Sequence, residues 1–119
     1  MILHLPLPPS LNNAFPTVRI RGKNRRVPSA EYKAWKMGAG LIALQQWRAR
    51  GSPLFARHYA SHWRFNIDHG GDIGNREKCG TDLLVATIPG FPGDQWCDRI
   101  LIERDRTIEG AVVEVTQLR

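Results

Sequence analysis

The segment from residue 57 to residue 67 alternates between apolar and polar side chains, and this period of two constrains the fold more than any other feature. One side of the extended segment carries aromatic and aliphatic residues, which are Tyr59, Trp63, Phe65 and Ile67. The other side carries polar residues, which are His58, His62, Arg64 and Asn66. Such alternation is typical of a strand with one face buried and the other in solvent. The pattern therefore predicts a half-buried strand.

Two other segments have helical signals. Ser29 is in the right place for an N-cap, Glu31 follows in the first turn, and Gly51 predicts the end of this long helix. Its apolar residues predict a wide stripe that faces the core: Tyr32, Trp35, Met37, Ala39, Leu41, Ile42, Leu44 and Trp47. A second helix is predicted to begin near residues 72–75 and to run to about residue 86.

The remaining segments predict strands and turns. A short strand is expected at residues 2–7, a turn or loop through Asn12 and Asn13, and two short strands or a mobile loop at residues 17–27 around Gly22. Two further strands are expected at residues 99–104 and 111–118, joined across a turn at residues 109–110. The order of elements predicts an α+β fold: one small domain over residues 1–119, with a mixed β-sheet and two main helices packed on it.

Composition sets the broad class of protein. A chain of 119 residues with 42% hydrophobic residues has the size of one domain with a modest core. It has no apolar run near the roughly 20 residues that a membrane span requires, and no secretory signal pattern at its start. Two cysteines, Cys79 and Cys97, are read as reduced thiols. We therefore expect a cytoplasmic protein with no membrane partner.

Charge is distributed very unevenly along the chain. Residues 1–64 hold 11 Lys and Arg with one acidic residue, whereas residues 65–119 hold 6 Lys and Arg with 10 acidic residues. A basic hairpin concentrates five cations, which are Arg19, Arg21, Lys23, Arg25 and Arg26. Arginine suits bidentate contacts to phosphate, so these five residues are predicted to contact a nucleic-acid backbone. The alternative is an ordinary solvated edge.

The candidate site lies in the acidic half. On the second predicted helix, Asn75, Lys78 and Asp82 fall on one face, and Asp72 stands at the N-terminal end. A helix N-terminus favours a phosphate, and an aspartate beside it can hold a divalent ion that bridges to that phosphate. The alternatives are that Asp72 is an ordinary helix cap and Asp82 a solvated acid.

Four sequence blocks carry a resemblance to a known family. They are PLPPSLNN at residues 6–13, VPSAEY at residues 27–32, DIGNREKCGTDLL at residues 72–84 and GDQWCDRI at residues 93–100. In order and spacing these blocks resemble the RusA family of phage and prophage Holliday junction resolvases. The third block is the most specific of the four, and together they extend over nearly the whole chain.

The resemblance implies a magnesium-dependent endonuclease that works as a homodimer. It would resolve four-way DNA junctions by paired symmetric nicks during recombination and repair, with Mn²⁺ as a substitute metal. By position, Asp72 and Asp94 match metal-binding catalytic acids, and Lys78 matches a lysine required for activity. Supporting roles fall to polar residues of the same blocks, which are Asn12, Asn13, Asn75 and Asp82.

Two departures from the family pattern define the alternatives. Gly74 stands where the family has a second aspartate, and Gly93 precedes Asp94 where the family has an Asp-Asp pair. Asp68 is a hypothetical replacement ligand, because Gly70 and Gly71 lie between it and the site. The first alternative function is a catalytically inactive binder of junction or duplex DNA with a RusA-like fold. The second is a basic RNA-associated protein.

One apolar loop allows three interpretations. Its residues are Ile88, Pro89, Phe91 and Pro92. They could open a junction as a wedge, contact a second subunit, or pack on the domain's own core, and core packing is the preferred interpretation.

Overall fold

The computed structural model describes residues 1–68 and 71–119. In these ranges the chain forms β1 (Ile2–Leu5), α1 (Leu11–Ala14), β2 (Thr17–Ile20), β3 (Lys23–Arg26), α2 (Ala30–Ala49), β4 (Tyr59–Phe65), α3 (Gly74–Thr87), β5 (Cys97–Arg104) and β6 (Ala111–Gln117). A single 3-10 turn, Asp94–Trp96, precedes β5. The predicted α+β class is confirmed.

The main sheet has four strands in the order β1-β6-β4-β5. Because β4 is parallel to β5 and antiparallel to β6, the sheet is mixed, as predicted. The two closing strands are nevertheless not neighbours, since β4 lies between them. The connection from β5 crosses the end of β4, where the Asp105 amide donates to the Phe65 carbonyl and the Asn66 amide donates to the Gly110 carbonyl. The connection therefore passes the end of β4, and β6 then pairs with the edge of β4 opposite to β5.

The alternation in β4 is confirmed and forms the centre of the core. Tyr59, Trp63 and Phe65 are at most 1% exposed, and they lie in one core cluster with apolar residues of α2 and α3. Gly80 in α3 lies against the Trp63 ring, because a Cβ placed at this glycine would lie 2.5 Å from a ring carbon. The lack of a side chain at this position lets α3 approach the sheet closely, which fixes the position of the candidate site.

Helix α2 begins as predicted, but its buried stripe is narrower than predicted. The Ser29 hydroxyl accepts a hydrogen bond from the Tyr32 amide at 3.0 Å, which confirms the N-cap. Ala39 and Ala43 are buried, whereas Met37 is 75% exposed and Leu41 is 61% exposed. Residues two apart lie about 200° apart around a helix, so Met37 and Leu41 point away from the sheet that Ala39 and Ala43 contact. Ile42 is also exposed, at 37%.

The basic segment at residues 17–27 forms two short strands, which confirms the first of the two alternatives predicted for it. β2 and β3 pair as an antiparallel hairpin apart from the main sheet. The turn is centred on Arg21 and Gly22, which have φ values of 51° and 76°, and so includes the Gly22 around which the two strands were predicted. Consecutive positive φ values are typical of the tight turns that match the twist of a hairpin.

The region predicted as a turn or loop before the hairpin contains a short helix instead. The Ser10 hydroxyl accepts a hydrogen bond from the Asn13 amide at 3.3 Å and caps α1. A cap of this kind satisfies an amide that has no partner inside the helix, so Ser10 favours a helical turn directly after the two prolines.

The apolar loop after α3 packs on the core. Ile88 is 2% exposed and Phe91 is 7% exposed, and the Phe91 ring meets Tyr59 edge to face at 5.0 Å between centroids. These two side chains are therefore part of the core, which confirms the preferred interpretation for them.

Cys79 and Cys97 are both free thiols, as predicted, with Cys79 buried and Cys97 partly exposed. Within residues 1–68 and 71–119, no helix is both long enough and apolar enough to cross a lipid bilayer.

Candidate active site

Lys78 is the centre of the candidate site. Its Nζ donates to Asp94 Oδ2 at 2.5 Å and lies 3.1 Å from Asp82 Oδ1. Asp82 follows one turn later on α3, whereas Asp94 begins the 3-10 turn, so the cluster joins two elements. The hydrogen bonds that Lys78 donates to Asp94 and then to Asp82 raise the pKa of Lys78, and the bond from Lys78 lowers the pKa of Asp94. Lys78 and Asp94 are therefore both charged at neutral pH.

Asp72 lies at the start of α3 and contributes to its cap. Its Oδ1 accepts a hydrogen bond from the Gly74 amide at 2.9 Å, and its carbonyl accepts one from the Asn75 amide at 3.2 Å. The Asp72 side chain is exposed. Among the described residues, no hydrogen bond or ion pair joins Asp72 to Asp94. Asp72 thus accepts from the first residue of α3 from one position before the N-cap residue, Ile73, which makes no side-chain cap hydrogen bond; Oδ2 of Asp72 takes no part in this contact.

Gly74 is the first residue of α3, directly beside Asp72. A Cβ at this position would lie 3.2 Å from Asp72 Oδ1, and the backbone there is not in the left-handed region. An aspartate at position 74 would therefore have its side chain next to that of Asp72. The glycine removes one carboxylate from this end of the helix.

The acidic groups among the described residues do not form a three-ligand metal cluster. In the part of the chain that the structure describes, no group of three His, Cys, Asp or Glu side chains is close enough to hold a metal. Asp68 is exposed, and the approach between it and the site includes His69 and Gly70, which lie outside the described residues. The carboxylates that do converge are those of Asp82 and Asp94, around Lys78. Asp82, predicted only as a supporting residue, therefore lies at the centre; its i,i+4 spacing from Lys78 was the signal.

The basic hairpin is anchored beside this cluster by Arg26. Its Nε donates to the Phe15 carbonyl at 2.9 Å, and its Nη2 lies 3.4 Å from Asn12 Oδ1. A shallow surface cleft is lined by Leu11, Phe15, Arg26, Lys78 and Asp82. One cation of the predicted phosphate-binding set thus shares a cleft with Lys78, which was predicted as catalytic, and with Asp82, which was predicted as supporting. Asn12 holds Arg26 rather than contacting the acidic cluster.

The other four hairpin cations are exposed. In the described ranges, Arg19, Arg21, Lys23 and Arg25 make no side-chain hydrogen bond or ion pair. The pairing of β2 with β3 places Arg19 on one face of the hairpin and Arg25 with Lys23 on the other. An exposed hairpin with cations on both faces and at its tip has no internal counter-charge, which suits contact with a polyanion.

A second contact, which sequence reasoning missed, joins the first block to α3. The Arg76 Nη1 donates to the Pro8 carbonyl at 2.7 Å and is partly buried. A small core cluster of Ala14, Tyr32 and Cys79 packs α1 and α2 against α3 below this contact. Asn13 is exposed on α1, and Asn75 is partly buried on α3. Three of the blocks that carry the family resemblance are therefore neighbours in space, at residues 6–13, 27–32 and 72–84. In the sequence, the order of the blocks is the one feature that pointed to a shared site.

A comparison with models of known protein families finds no model that matches the chain, and a comparison with curated protein sequences finds no match either.

Proposed function

We propose that this domain is a structure-selective endonuclease that binds four-way DNA junctions and nicks them in pairs. The observation that carries the proposal is the cleft that Arg26 shares with Lys78 and Asp82, because it joins the basic hairpin, where we propose that phosphate binds, to an acidic cluster. A nuclease needs both on one surface, since the bond to be cut lies in the backbone that the cations hold. The RusA-like motif order supports the same assignment.

The hairpin would supply most of the affinity. Each Lys or Arg that neutralises a phosphate releases a counterion, so binding is expected to weaken steeply with salt. Arg19, Lys23 and Arg25 are exposed and free for this role in the described structure. Arg26, which is held by Phe15 and Asn12, would fix the position of the backbone relative to Lys78.

Asp72 and Asp94 would hold Mg²⁺, with Mn²⁺ as a substitute. Mg²⁺ is usually bound by one or two carboxylates and completes its shell with water and substrate phosphate, so two exposed carboxylates suit it without a third protein ligand. The ionised state of Asp94 and the convergence of two carboxylates on the Lys78 ammonium support a site that favours positive charge. When bound, the metal would activate a water and polarise the phosphate. Lys78 would stabilise negative charge that develops on the phosphoryl oxygens.

Paired nicks need two sites, so we propose that the active form is a homodimer. A two-fold dimer presents the same surface twice and matches the symmetry of a four-way junction. The proposed setting is the cytoplasm, where DNA recombination and repair occur in a cell without a nucleus.

The test uses the purified chain and a synthetic four-way junction in Mg²⁺ or Mn²⁺. The wild type is expected to prefer the junction to a linear duplex of the same sequence and to nick it. The Asp72→Asn variant keeps an oxygen that can cap α3 but lacks the charge, so it is expected to bind the junction and not to nick it. Equal nicking by wild type and variant would contradict the role of Asp72.

The second candidate is an inactive binder of junction or duplex DNA. Gly74 favours it, because the glycine lies beside Asp72 and supplies no further carboxylate there. Junction binding without nicking in either metal would support this candidate. Equal affinity for RNA and for the junction would contradict both candidates and support an RNA-associated protein.

A further inference from the structure

Strand β5 forms an open edge of the main sheet. It extends over eight residues and pairs only with β4, so no other strand of the described chain lies along its second edge. Ile100 is 48% exposed and Leu101 is 53% exposed on this strand. A long edge with unpaired backbone groups and exposed aliphatic residues is a template for pairing with another strand.

The sequence of β5 is complementary to itself. Residues 98–104 read Asp-Arg-Ile-Leu-Ile-Glu-Arg, with Leu101 at the centre. In an antiparallel pair centred on Leu101, Ile100 of each copy faces Ile102 of the other, and Arg99 faces Glu103. Asp98 then faces Arg104. Opposite charges directly across an antiparallel pair stabilise it, and like charges destabilise it.

The ion pairs within the chain leave the central charges of β5 available. Arg99 makes no ion pair among the described residues. Glu103 accepts from His62 Nε2 at 2.6 Å, but its side chain remains 51% exposed. In the register of β4 with β5, Leu101 faces His62 and Arg99 faces Ala60, which places both on the side of the sheet away from α2 and α3. A second copy could therefore approach this edge without displacing a helix.

We propose that two copies of the chain pair through β5, antiparallel, about a two-fold axis at Leu101. The product is one continuous eight-stranded sheet with an isologous interface, in which each Arg99 meets Glu103 of the second copy. This inference specifies the interface of the homodimer on which the proposed function rests. It is tested without nucleic acid, so its failure and the failure of the nuclease proposal give different results.

The proposed two-fold axis at Leu101 would also relate the candidate site of one copy to that of the other. β5 begins directly after the 3-10 turn that starts at Asp94, so the paired strands connect one acidic cluster to the other. The competing apolar surface is the side of α2 with Met37 and Leu41, for which nothing in the structure indicates an occupant.

The first experiment exchanges charges and measures the dimer dissociation constant by sedimentation. Arg99→Glu and Glu103→Arg each convert two attractive pairs to repulsive ones, so each is expected to weaken the dimer by about tenfold or more. The double variant restores opposite charges across the axis and is expected to regain the wild-type constant. Arg48→Glu and Glu109→Arg are matched controls of equal charge change on exposed positions outside β5. Circular dichroism checks that each variant folds.

The second experiment tests the axis itself. Cα atoms directly opposite in antiparallel strands lie about 4.5–5.5 Å apart, which is within the usual range for a disulfide. In a Cys97→Ser background, Leu101→Cys is therefore expected to form a covalent dimer under mild oxidation. Met37→Cys, at a more exposed site on α2, is the control and is expected to stay monomeric on a denaturing gel.

Three results of the first experiment would overturn the proposal. The first is a wild-type monomer at all concentrations, and the second is a dimer unaffected by Arg99→Glu. The third is a folded double variant that stays monomeric. Cross-linking through Met37→Cys in place of Leu101→Cys would also overturn it and would assign the interface to α2.

Discussion

The Lys78 ammonium lies 2.5 Å from Asp94 Oδ2 and joins α3 to the turn before β5 across 16 positions of sequence. Both side chains are about half exposed, at 46% and 51%. Ion pairs with this exposure contribute little to stability, because water screens them. The arrangement therefore holds a lysine and two carboxylates together at little energetic gain.

The pH dependence of stability tests this ion pair. The pKa of Asp94 is lowered by Lys78, so its contribution to stability is present at neutral pH and is lost as the pH falls below about 4, through the folded-state pKa. Asp94→Asn is expected to lower the free energy of unfolding by less than about 1 kcal/mol at pH 7. Urea unfolding at pH 7 and at acidic pH measures the difference, which is expected to shrink towards zero in acid. A difference that is the same at both pH values would contradict the pair.

The salt dependence of binding tests the hairpin. Replacing Arg19 and Arg25 with alanine removes two exposed cations, one from each face of the hairpin. The slope of log affinity against log salt concentration is expected to fall by about 0.9 for each phosphate of a duplex arm that the variant no longer neutralises. Fluorescence anisotropy at several salt concentrations measures the slope. Arg48→Ala with Arg106→Ala removes the same charge elsewhere, and an equal fall in slope for that pair would contradict a specific role for the hairpin.

Restoring an acid at position 74 tests the departure from the family pattern. Gly74→Asp adds a carboxylate beside Asp72; the backbone conformation allows a side chain, but the new Cβ would lie 3.2 Å from Asp72 Oδ1, so the exposed Asp72 side chain must shift slightly. We expect faster nicking of a four-way junction in Mg²⁺, by about tenfold or more, since one added ligand strengthens the hold on the metal. Gly74→Asn has nearly the same shape without the charge and is the control. No gain for aspartate over asparagine would contradict a metal at this end of α3.

Two helical glycines are expected to respond in opposite directions. Gly80→Ala places a methyl group 2.5 Å from the buried Trp63 ring and is expected to lower the free energy of unfolding by about 1–3 kcal/mol. Gly38→Ala meets nothing within 4 Å on α2 and is expected to raise it by about 0.5–1 kcal/mol. Urea unfolding measures both, and equal effects would contradict the close contact between α3 and β4.

The sequence predicts most of the elements because their signals are local. Alternation defines β4, and Ser29 caps α2 where expected. The position of β4 between β5 and β6 depends on hydrogen bonds from the connection at residues 105–110, which no local pattern encodes. The prediction placed Met37 and Leu41 on the buried stripe although they lie about 200° around α2 from Ala39 and Ala43; apolar residues on both sides of a helix do not show which side packs on the sheet.

Local sequence likewise predicts only part of the candidate site. The residue types and the helix face of Lys78 and Asp82 follow from spacing, and the hydrogen bond that Asp72 accepts from the Gly74 amide follows from its place before α3. The shared cleft of Arg26 and Lys78 does not, because the two residues are far apart in sequence and are brought together by the packing of α1 and α2 on α3.

The most direct measurement is the single-turnover rate of junction nicking in Mg²⁺, with protein in excess over a labelled four-way junction, for wild type and Asp94→Asn. Removal of one carboxylate from the site is expected to lower the rate by about 100-fold or more, with the dissociation constant for the junction nearly unchanged. Glu109→Gln removes an exposed acid elsewhere and is expected to leave both quantities unchanged. A wild type that binds the junction without nicking it, or an Asp94→Asn variant that nicks at the wild-type rate, would contradict the assignment.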